Sequence, residues 1–221
     1  MEDEDDYPPP PPDADLIRRE SAAAIKRLGG TFPANLPYIE YFEPRTQSEA
    51  FDRMLAMYGM WHIPNGTPVA DIQKWVSKNG VAHALSRREQ RILSHSGSEP
   101  EKKDLISLSW YIEALWAFAW AGSMIPNLPI EAPVGDRFHA LIESVGKSGS
   151  GLESAFHLRD RREIYCSLDL YYLAHWYARD GRLNKYETGP FEAGIIIERR
   201  KTLEWLNNRT INDWDEISLD T

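Results

Sequence analysis

Two segments with the composition of core helices each carry one acidic side chain among apolar neighbours, and in a third an arginine interrupts the apolar stripe of the helix. A charge buried in an apolar interior is unstable unless it is paired and hydrogen-bonded. Where a substrate can reach such groups, they serve as general acids, bases or anion clamps. These charges therefore either pair with one another or do chemistry. The acidic side chains are Glu113 in Leu108–Ile125 and Asp169 in Ile164–Ala178, and in Ile195–Leu206 the arginine is Arg199, which interrupts the stripe of Ile195, Leu203 and Leu206.

Helical geometry predicts how these charges meet. At about 100° per residue, Arg162, Asp169 and Tyr172 share one face of their helix, and Arg162 and Asp169 are separated by about 10 Å. A side chain from a neighbouring helix fits between them, and the planar guanidinium of Arg199 can engage two carboxylates at once. We therefore predict one buried polar network in which Arg199 bridges Asp169 and Glu113, with Arg162 and Tyr172 completing it.

Two interpretations of this network stay open. It is either a polar cluster that specifies the fold or the catalytic pocket of a hydrolase. We favour the structural interpretation, because a charge-balanced cluster needs no ligand and structural ion networks also perturb pKa values. A single histidine on a helix beside Trp176 is more often packed than catalytic. The catalytic candidates, under the second interpretation, are Glu113, Asp169, His175 and Arg199.

Metal and cofactor motifs are missing from the sequence. The six histidines are scattered, no two of them have the spacing of a helical zinc site, and Cys166 is the one cysteine. Gly146-Lys147-Ser148 resembles the end of a phosphate-binding loop, but Leu141 stands where that motif needs a glycine. We therefore predict no metal and no cofactor.

The distribution of charge and of apolar residues excludes several classes of protein. Residues 1–15 hold seven acidic residues and no basic one, so two of the nine net negative charges belong to the rest of the 221-residue chain. A near-neutral body lacks the basic surface of a nucleic-acid-binding protein. The N-terminus is acidic where a signal peptide would be basic, and the longest apolar run, Ala114–Ile125, is too short to span a bilayer. We predict a cytoplasmic protein that binds neither nucleic acid nor a membrane.

Helix signals dominate the chain after its acidic, proline-rich start. Thr46 and Ser86 each begin a capping box with a glutamate three residues later. One helix is predicted to run without a break from Lys103 to Gly122, and Gly80–Leu85 is a candidate for a short extended piece. We predict a mainly α protein, a single-domain helical bundle over residues 16–221, preceded by a disordered arm over residues 1–15.

The sequence also carries motifs that are similar to those of a protein family. The more specific ones lie in the two predicted C-terminal helices and the tail, and a weaker one surrounds Glu113. They are Asp169-Leu170-x-Tyr172-x-x-His175-Trp176-x-x-Arg179, Glu198-Arg199-Arg200-x-x-Leu203-x-Trp205-Leu206, Trp214-Asp215-x-Ile217-x-Leu219-Asp220-Thr221 and Trp110-x-x-Glu113-Ala114.

With these motifs the chain resembles a largely bacterial family, the domain of unknown function 4272, over about residues 17–221. The resemblance implies no established activity and no cofactor. It predicts Leu-Asp at the positions of Tyr165-Cys166, which implies that this chain has lost one carboxylate of that helix.

Three functions stay open, and we favour the first. It is a non-catalytic cytosolic protein that binds a protein partner, in its sharpest form an antitoxin or immunity-type protein that masks a toxin. The reasons for this preference are the small size, the acidic ends of the chain and the lack of a complete set of catalytic residues. The alternatives are the hydrolase described above and a structural subunit of an assembly, and the oligomeric state stays open.

Overall fold

The computed structural model is built from helices, which confirms the predicted mainly α fold. It describes residues 8–95, 99–145 and 149–220, and these contain no β-strand. The segment predicted as extended, Gly80–Leu85, instead contains a 3-10 helix at Ala82–Ala84, and a second 3-10 helix lies at Trp214–Glu216. The α-helices are α1 (Ala14–Arg27), α2 (Gln47–Trp61), α3 (Val69–Asn79), α4 (Arg87–Ser94), α5 (Lys102–Ser109), α6 (Tyr111–Ala121), α7 (Arg137–Val145), α8 (Gly149–Ala155), α9 (Arg161–Asn184) and α10 (Ala193–Asn207).

Helices α6 and α9 form the centre of the fold. Every residue of α6 from Glu113 to Ala121 is buried, and α9 is the longest described helix, with 24 residues. Helix α9 packs against α1 and α10, α10 packs against α6, and α6 also contacts α2. A helix that is apolar on all sides must be covered on all sides, so the composition of α6 requires this central position. Among the described helices, none is both long and apolar enough to cross a membrane.

The helix predicted from Lys103 to Gly122 is interrupted at Trp110. The amides of Trp110 and Glu113 make i→i+3 hydrogen bonds here, which separates α5 from α6. The ring of Trp110 lies against Gly194 of α10, where an added Cβ would be 2.6 Å from the ring. The break in the helix therefore coincides with the close contact between Trp110 and α10, which the apolar pattern of the sequence does not predict.

Helix α1 begins at Ala14, inside the segment predicted to be an arm. Its start is attached to α9 because the carboxylate of Asp13 accepts a 2.6 Å hydrogen bond from Nε of Arg162. The Ala14 amide donates to the carbonyl of Pro11. The disorder predicted for residues 1–7 lies outside the described residues, and the division of the chain after residue 15 stays a prediction.

Two segments without α-helix lie against α9 and α10. Residues 36–45 are attached to α9 by the hydroxyl of Tyr165, which donates to the carbonyl of Ile39 at 2.6 Å. The tail, residues 208–220, is attached to α10 by Arg200, which donates to two tail carbonyls at 3.3 and 3.2 Å. These two segments supply the walls of the largest cleft described below.

The helix caps lead to a first testable prediction. The hydroxyl of Thr46 accepts from the amide of Glu49, whose side chain accepts from the amide of Thr46 in return. We expect Thr46→Ala to lower the free energy of unfolding by about 1 kcal/mol. The control is Ser48→Ala in the same exposed turn, which should change it by less than about 0.5 kcal/mol. Urea unfolding followed by circular dichroism measures both, and equal effects would contradict the role of the cap.

Candidate functional site

Arg199 of α10 and Glu113 of α6 form an ion pair in the centre of the protein. The Nη2 and Nε atoms of Arg199 lie 2.6 and 3.0 Å from Oε2 of Glu113, and Oε1 accepts from the amide of Val134 at 3.0 Å. The other donors of Arg199 bind the Tyr171 hydroxyl of α9 and carbonyls in the loop 129–132. Arg199 and Glu113 are 0% and 4% exposed, so the pair is sealed from solvent and fully hydrogen-bonded.

Asp169 is paired with Arg18 of α1 rather than with Arg199, which corrects the predicted bridge. Its Oδ1 accepts a 2.9 Å hydrogen bond from Nε of Arg18 and lies 2.8 Å from Nη2, and Asp169 is 1% exposed. The reason lies in the geometry of α9. Tyr171, which contacts Arg199, lies about 200° around the helix from Asp169. Helices α1 and α10 therefore cover different faces of α9, and each supplies its own arginine.

Arg162 and Tyr172, which were also predicted to complete the network, lie apart from Arg199. Arg162 is half-exposed and pairs with Asp13. Tyr172 is 5% exposed, and its ring contacts two guanidinium groups whose central carbons lie 5.5 Å (Arg18) and 4.9 Å (Arg200) from the ring centroid. The single predicted network is thus divided into separate clusters.

His175 is held as a neutral side chain. Its Nδ1 accepts a 2.8 Å hydrogen bond from Nη1 of Arg200, so the ring proton is on Nε2. Burial, followed by the positive charge of Arg200 and of two further arginines on α9, lowers the pKa of His175 from 6.5 to about 4. Arg200 is also paired with Glu204, one turn further along α10, at 3.0 Å.

Sequence reasoning missed a further buried ion pair, between Arg53 of α2 and Glu89 of α4. The Nη1 and Nη2 atoms of Arg53 lie 2.6 and 2.8 Å from the two carboxylate oxygens, and the residues are 2% and 0% exposed. Burial favours a higher pKa for Glu89, but the charge and hydrogen bonds of Arg53 outweigh it, and the net effect is a lowered pKa. The signal was present, since Arg53 is the one basic residue among the apolar neighbours of Ala50–Trp61.

The larger of two clefts that border these clusters has a volume of about 430 Å³. We call it the Tyr172 cleft. It is open to solvent between residues 36–45, helices α9 and α10, and the tail, whereas the smaller cleft, of about 220 Å³, lies over Arg53. Four carboxylates, one guanidinium and three aromatic rings line the Tyr172 cleft. Its lining residues are Pro37, Tyr38, Ile39, Glu40, Phe42, Tyr172, Arg200, Glu204, Asn208, Ile211, Glu216, Ser218 and Asp220.

The predicted site residues do not converge in this cleft. Tyr172 lines it, and Arg200, the partner of His175, lines it as well. The four catalytic candidates, Glu113, Asp169, His175 and Arg199, are not part of its lining. Within the part of the chain that the structure describes, no group of three or more histidine, cysteine, aspartate or glutamate side chains is placed to hold a metal ion.

Comparison with known proteins identifies the family of the chain. Residues 17–217 match the family model described as Domain of unknown function (DUF4272). The chain belongs to this family. No curated protein and no solved structure matches it. The matched region contains all three buried pairs, Arg18–Asp169, Arg53–Glu89 and Arg199–Glu113, so the polar core lies within the DUF4272 domain.

The central ion pair of the DUF4272 domain predicts a large loss of stability when one charge is removed. Glu113→Gln leaves a buried guanidinium without a counter-charge, and we expect the free energy of unfolding to fall by about 3–5 kcal/mol. The control is Glu43→Gln, which removes a partner of the exposed Arg209 and should lower it by less than about 1 kcal/mol. Urea unfolding at neutral pH measures both. A loss for Glu113→Gln no larger than that of the control would contradict the role of the pair.

Through His175, the free energy of unfolding should depend on pH. Its pKa is lowered to about 4 in the folded state, so the unfolded state takes up the proton first and stability falls as the pH drops from 6.5 towards 4. We expect the titration of His175 to lower the free energy of unfolding by about 2 kcal/mol between pH 7 and pH 4.5. His175→Gln lacks the titrating ring and should lose less stability over that interval. Unfolding free energies of both proteins at the two pH values test this, and parallel changes would rule it out.

Proposed function

We propose that this DUF4272 protein is a non-catalytic cytosolic protein that binds a protein partner, in the sharpest form of the proposal an immunity-type protein that masks a toxin. The observation that carries the proposal is a division between two sets of polar groups. Three carboxylates buried among the helices, those of Asp169, Glu89 and Glu113, are each neutralised by an arginine. The Tyr172 cleft, in contrast, presents carboxylates and aromatic rings to the solvent.

The catalytic candidates that the sequence offered are poorly suited to catalysis. A general acid or base must reach its substrate and have a pKa near the working pH. Asp169 and Glu113 are 1% and 4% exposed, and each is bound by an arginine. His175 has a pKa of about 4, and its Nδ1 is occupied by a hydrogen bond. These contacts support a structural role for the residues that the sequence offered as catalytic candidates.

The Tyr172 cleft suits a partner with a basic surface. Tyrosine and phenylalanine are enriched in protein interfaces, and three such rings line this cleft beside four carboxylates and one guanidinium. Charge complementarity speeds and orients the association of two proteins. A toxin that acts on nucleic acid carries a basic surface of its own. An acidic cleft that covers such a surface would block the access of the toxin to its substrate.

The two alternative functions have less support. A hydrolase would need Glu113, Asp169 or His175 in contact with its substrate, and these residues do not line the Tyr172 cleft. A structural subunit would need a broad apolar surface. Among the described residues, five large apolar side chains are exposed at four separate places in the sequence: Leu16, Tyr38, Ile106, and Leu183 with Tyr186.

Site-specific crosslinking in the native cells tests the proposal. We would place the photoreactive residue p-benzoylphenylalanine at Tyr38, which lines the cleft and is 40% exposed. The control position is Leu183, which is 65% exposed and lies outside the cleft. We expect one protein to be captured from Tyr38 and not from Leu183, because the partner covers the cleft. Capture from neither position, or equally from both, would contradict the proposal.

The identified partner then allows a direct test of the immunity-type function. The purified partner should bind the full chain in calorimetry. Expression of the partner alone should arrest growth, and coexpression of this protein should restore it. A partner that binds but does not arrest growth would remove the toxin-masking form of the proposal and leave the protein-binding form.

A further inference from the structure

Tyr172 is buried as a ring but open at its hydroxyl group. The residue is 5% exposed, yet its hydroxyl makes no hydrogen bond with any described residue. The hydroxyl oxygen is not among the buried atoms without a hydrogen-bond partner, so it reaches solvent. The residue lines the Tyr172 cleft. Burial raises the pKa of Tyr172, so the hydroxyl stays protonated at neutral pH. The hydroxyl therefore offers an unused hydrogen-bonding position in the cleft.

The two arginines beside Tyr172 are already occupied, which argues against an anionic ligand. Arg200 donates from Nε and Nη2 to Glu204, from Nη1 to His175, and from both terminal nitrogens to carbonyls of the tail. Arg18 donates to Asp169 and to two carbonyls of residues 36–37. The two guanidinium groups contact the ring of Tyr172, but their nitrogen atoms donate hydrogen bonds to groups of the protein itself.

The cleft also contains an unused acceptor. The carboxylate of Glu40 forms no hydrogen bond and no ion pair with the described residues. The other three carboxylates of the lining have partners, because Glu204 binds Arg200, Glu216 binds Arg87, and Asp220 accepts from Ser218. A free carboxylate and a free tyrosine hydroxyl in one acidic lining favour a cation with several donors. The volume of about 430 Å³ lies in the range of small-ligand sites.

We propose that the Tyr172 cleft receives an arginine side chain of the protein partner, with the carboxylate of Glu40 pairing with the guanidinium and the hydroxyl of Tyr172 accepting a further hydrogen bond. The inference rests on the proposed function and names the chemistry of the group that the partner inserts. Arginine fits better than lysine because its planar set of five donors can serve two separate acceptors at once. Lysine is a compact point charge without this fork.

A titration of the full chain with short peptides tests the proposal without knowledge of the partner. The probe is acetyl-Gly-Arg-Gly-amide, added to ¹⁵N-labelled protein and followed by NMR. Two control peptides replace the arginine by citrulline, which has nearly the same shape and no charge, or by lysine. We expect the arginine peptide to shift the amides around Tyr38, Glu40 and Tyr172 with a Kd on the order of 1 mM. The citrulline peptide should bind at least tenfold more weakly. Equal binding of the citrulline or the lysine peptide, or shifts elsewhere on the surface, would overturn the proposal.

Conservative variants test the two named groups. Tyr172→Phe removes a hydroxyl and Glu40→Gln removes a charge, and neither group has a hydrogen-bond or ion-pair partner among the described residues, so both variants should unfold at the same urea concentration as the parent chain. We expect each substitution to lower the affinity for the arginine peptide by about three- to tenfold. Glu43→Gln, on the same segment but outside the lining, is the matched control and should leave the affinity unchanged. Unchanged affinity in both cleft variants would overturn the assignment.

The outcomes separate this inference from the proposed function. Binding of the arginine peptide to a chain that captures no partner would contradict the proposed function and support the assignment of the cleft. A captured partner whose affinity is the same for the parent chain, Tyr172→Phe and Glu40→Gln would contradict the assignment and support the proposed function.

Discussion

The ion pair between Arg199 and Glu113 is the interaction on which the arrangement of the central helices depends. It joins α10 to α6, and the other donors of Arg199 reach α9 and the loop 129–132. A buried charge destabilises a protein strongly unless every donor is matched. The four parts of the chain must therefore meet in an arrangement in which this guanidinium finds all its acceptors, and we infer that the pair selects the packing of the core.

The same physical solution is used at two other places in the core. Arg18 joins α1 to α9 through Asp169, and Arg53 joins α2 to α4 through Glu89. In each case the planar guanidinium supplies several donors to a carboxylate and to nearby backbone carbonyls. Each of these carboxylates is neutralised by an arginine and joins two helices, although Oδ2 of Asp169 and Nε of Arg53 have no hydrogen-bond partner among the described residues. The groups that remain available to bind a ligand therefore lie at the surface.

Tyr172 lies at the boundary between these two environments. Its ring belongs to the core, where it contacts guanidinium groups that are committed to Asp169 and Glu204. Its hydroxyl belongs to the cleft, next to segments of the chain that lack helix. A side chain held in this way loses little conformational freedom when a ligand binds, which is the condition for a well-defined recognition site.

The sequence alone determined the helical class and the burial of Glu113, Asp169 and Arg199, because apolar periodicity is a local property, but it left the buried pair of Arg53 and Glu89 unrecognised. Glu113 and Asp169 could be recognised from their apolar neighbours in the chain, and Arg199 from its position on an apolar stripe of its helix. Their partners could not, since the choice between Arg18 and Arg199 for Asp169 depends on which helix covers which face of α9. The Tyr172 cleft is a similar case, because its walls come from residues 36–45 and the tail, far apart in sequence. Only the tertiary structure decided these pairings, because a charge is neutralised by whatever lies within a few ångströms in space, and chain order does not encode that distance.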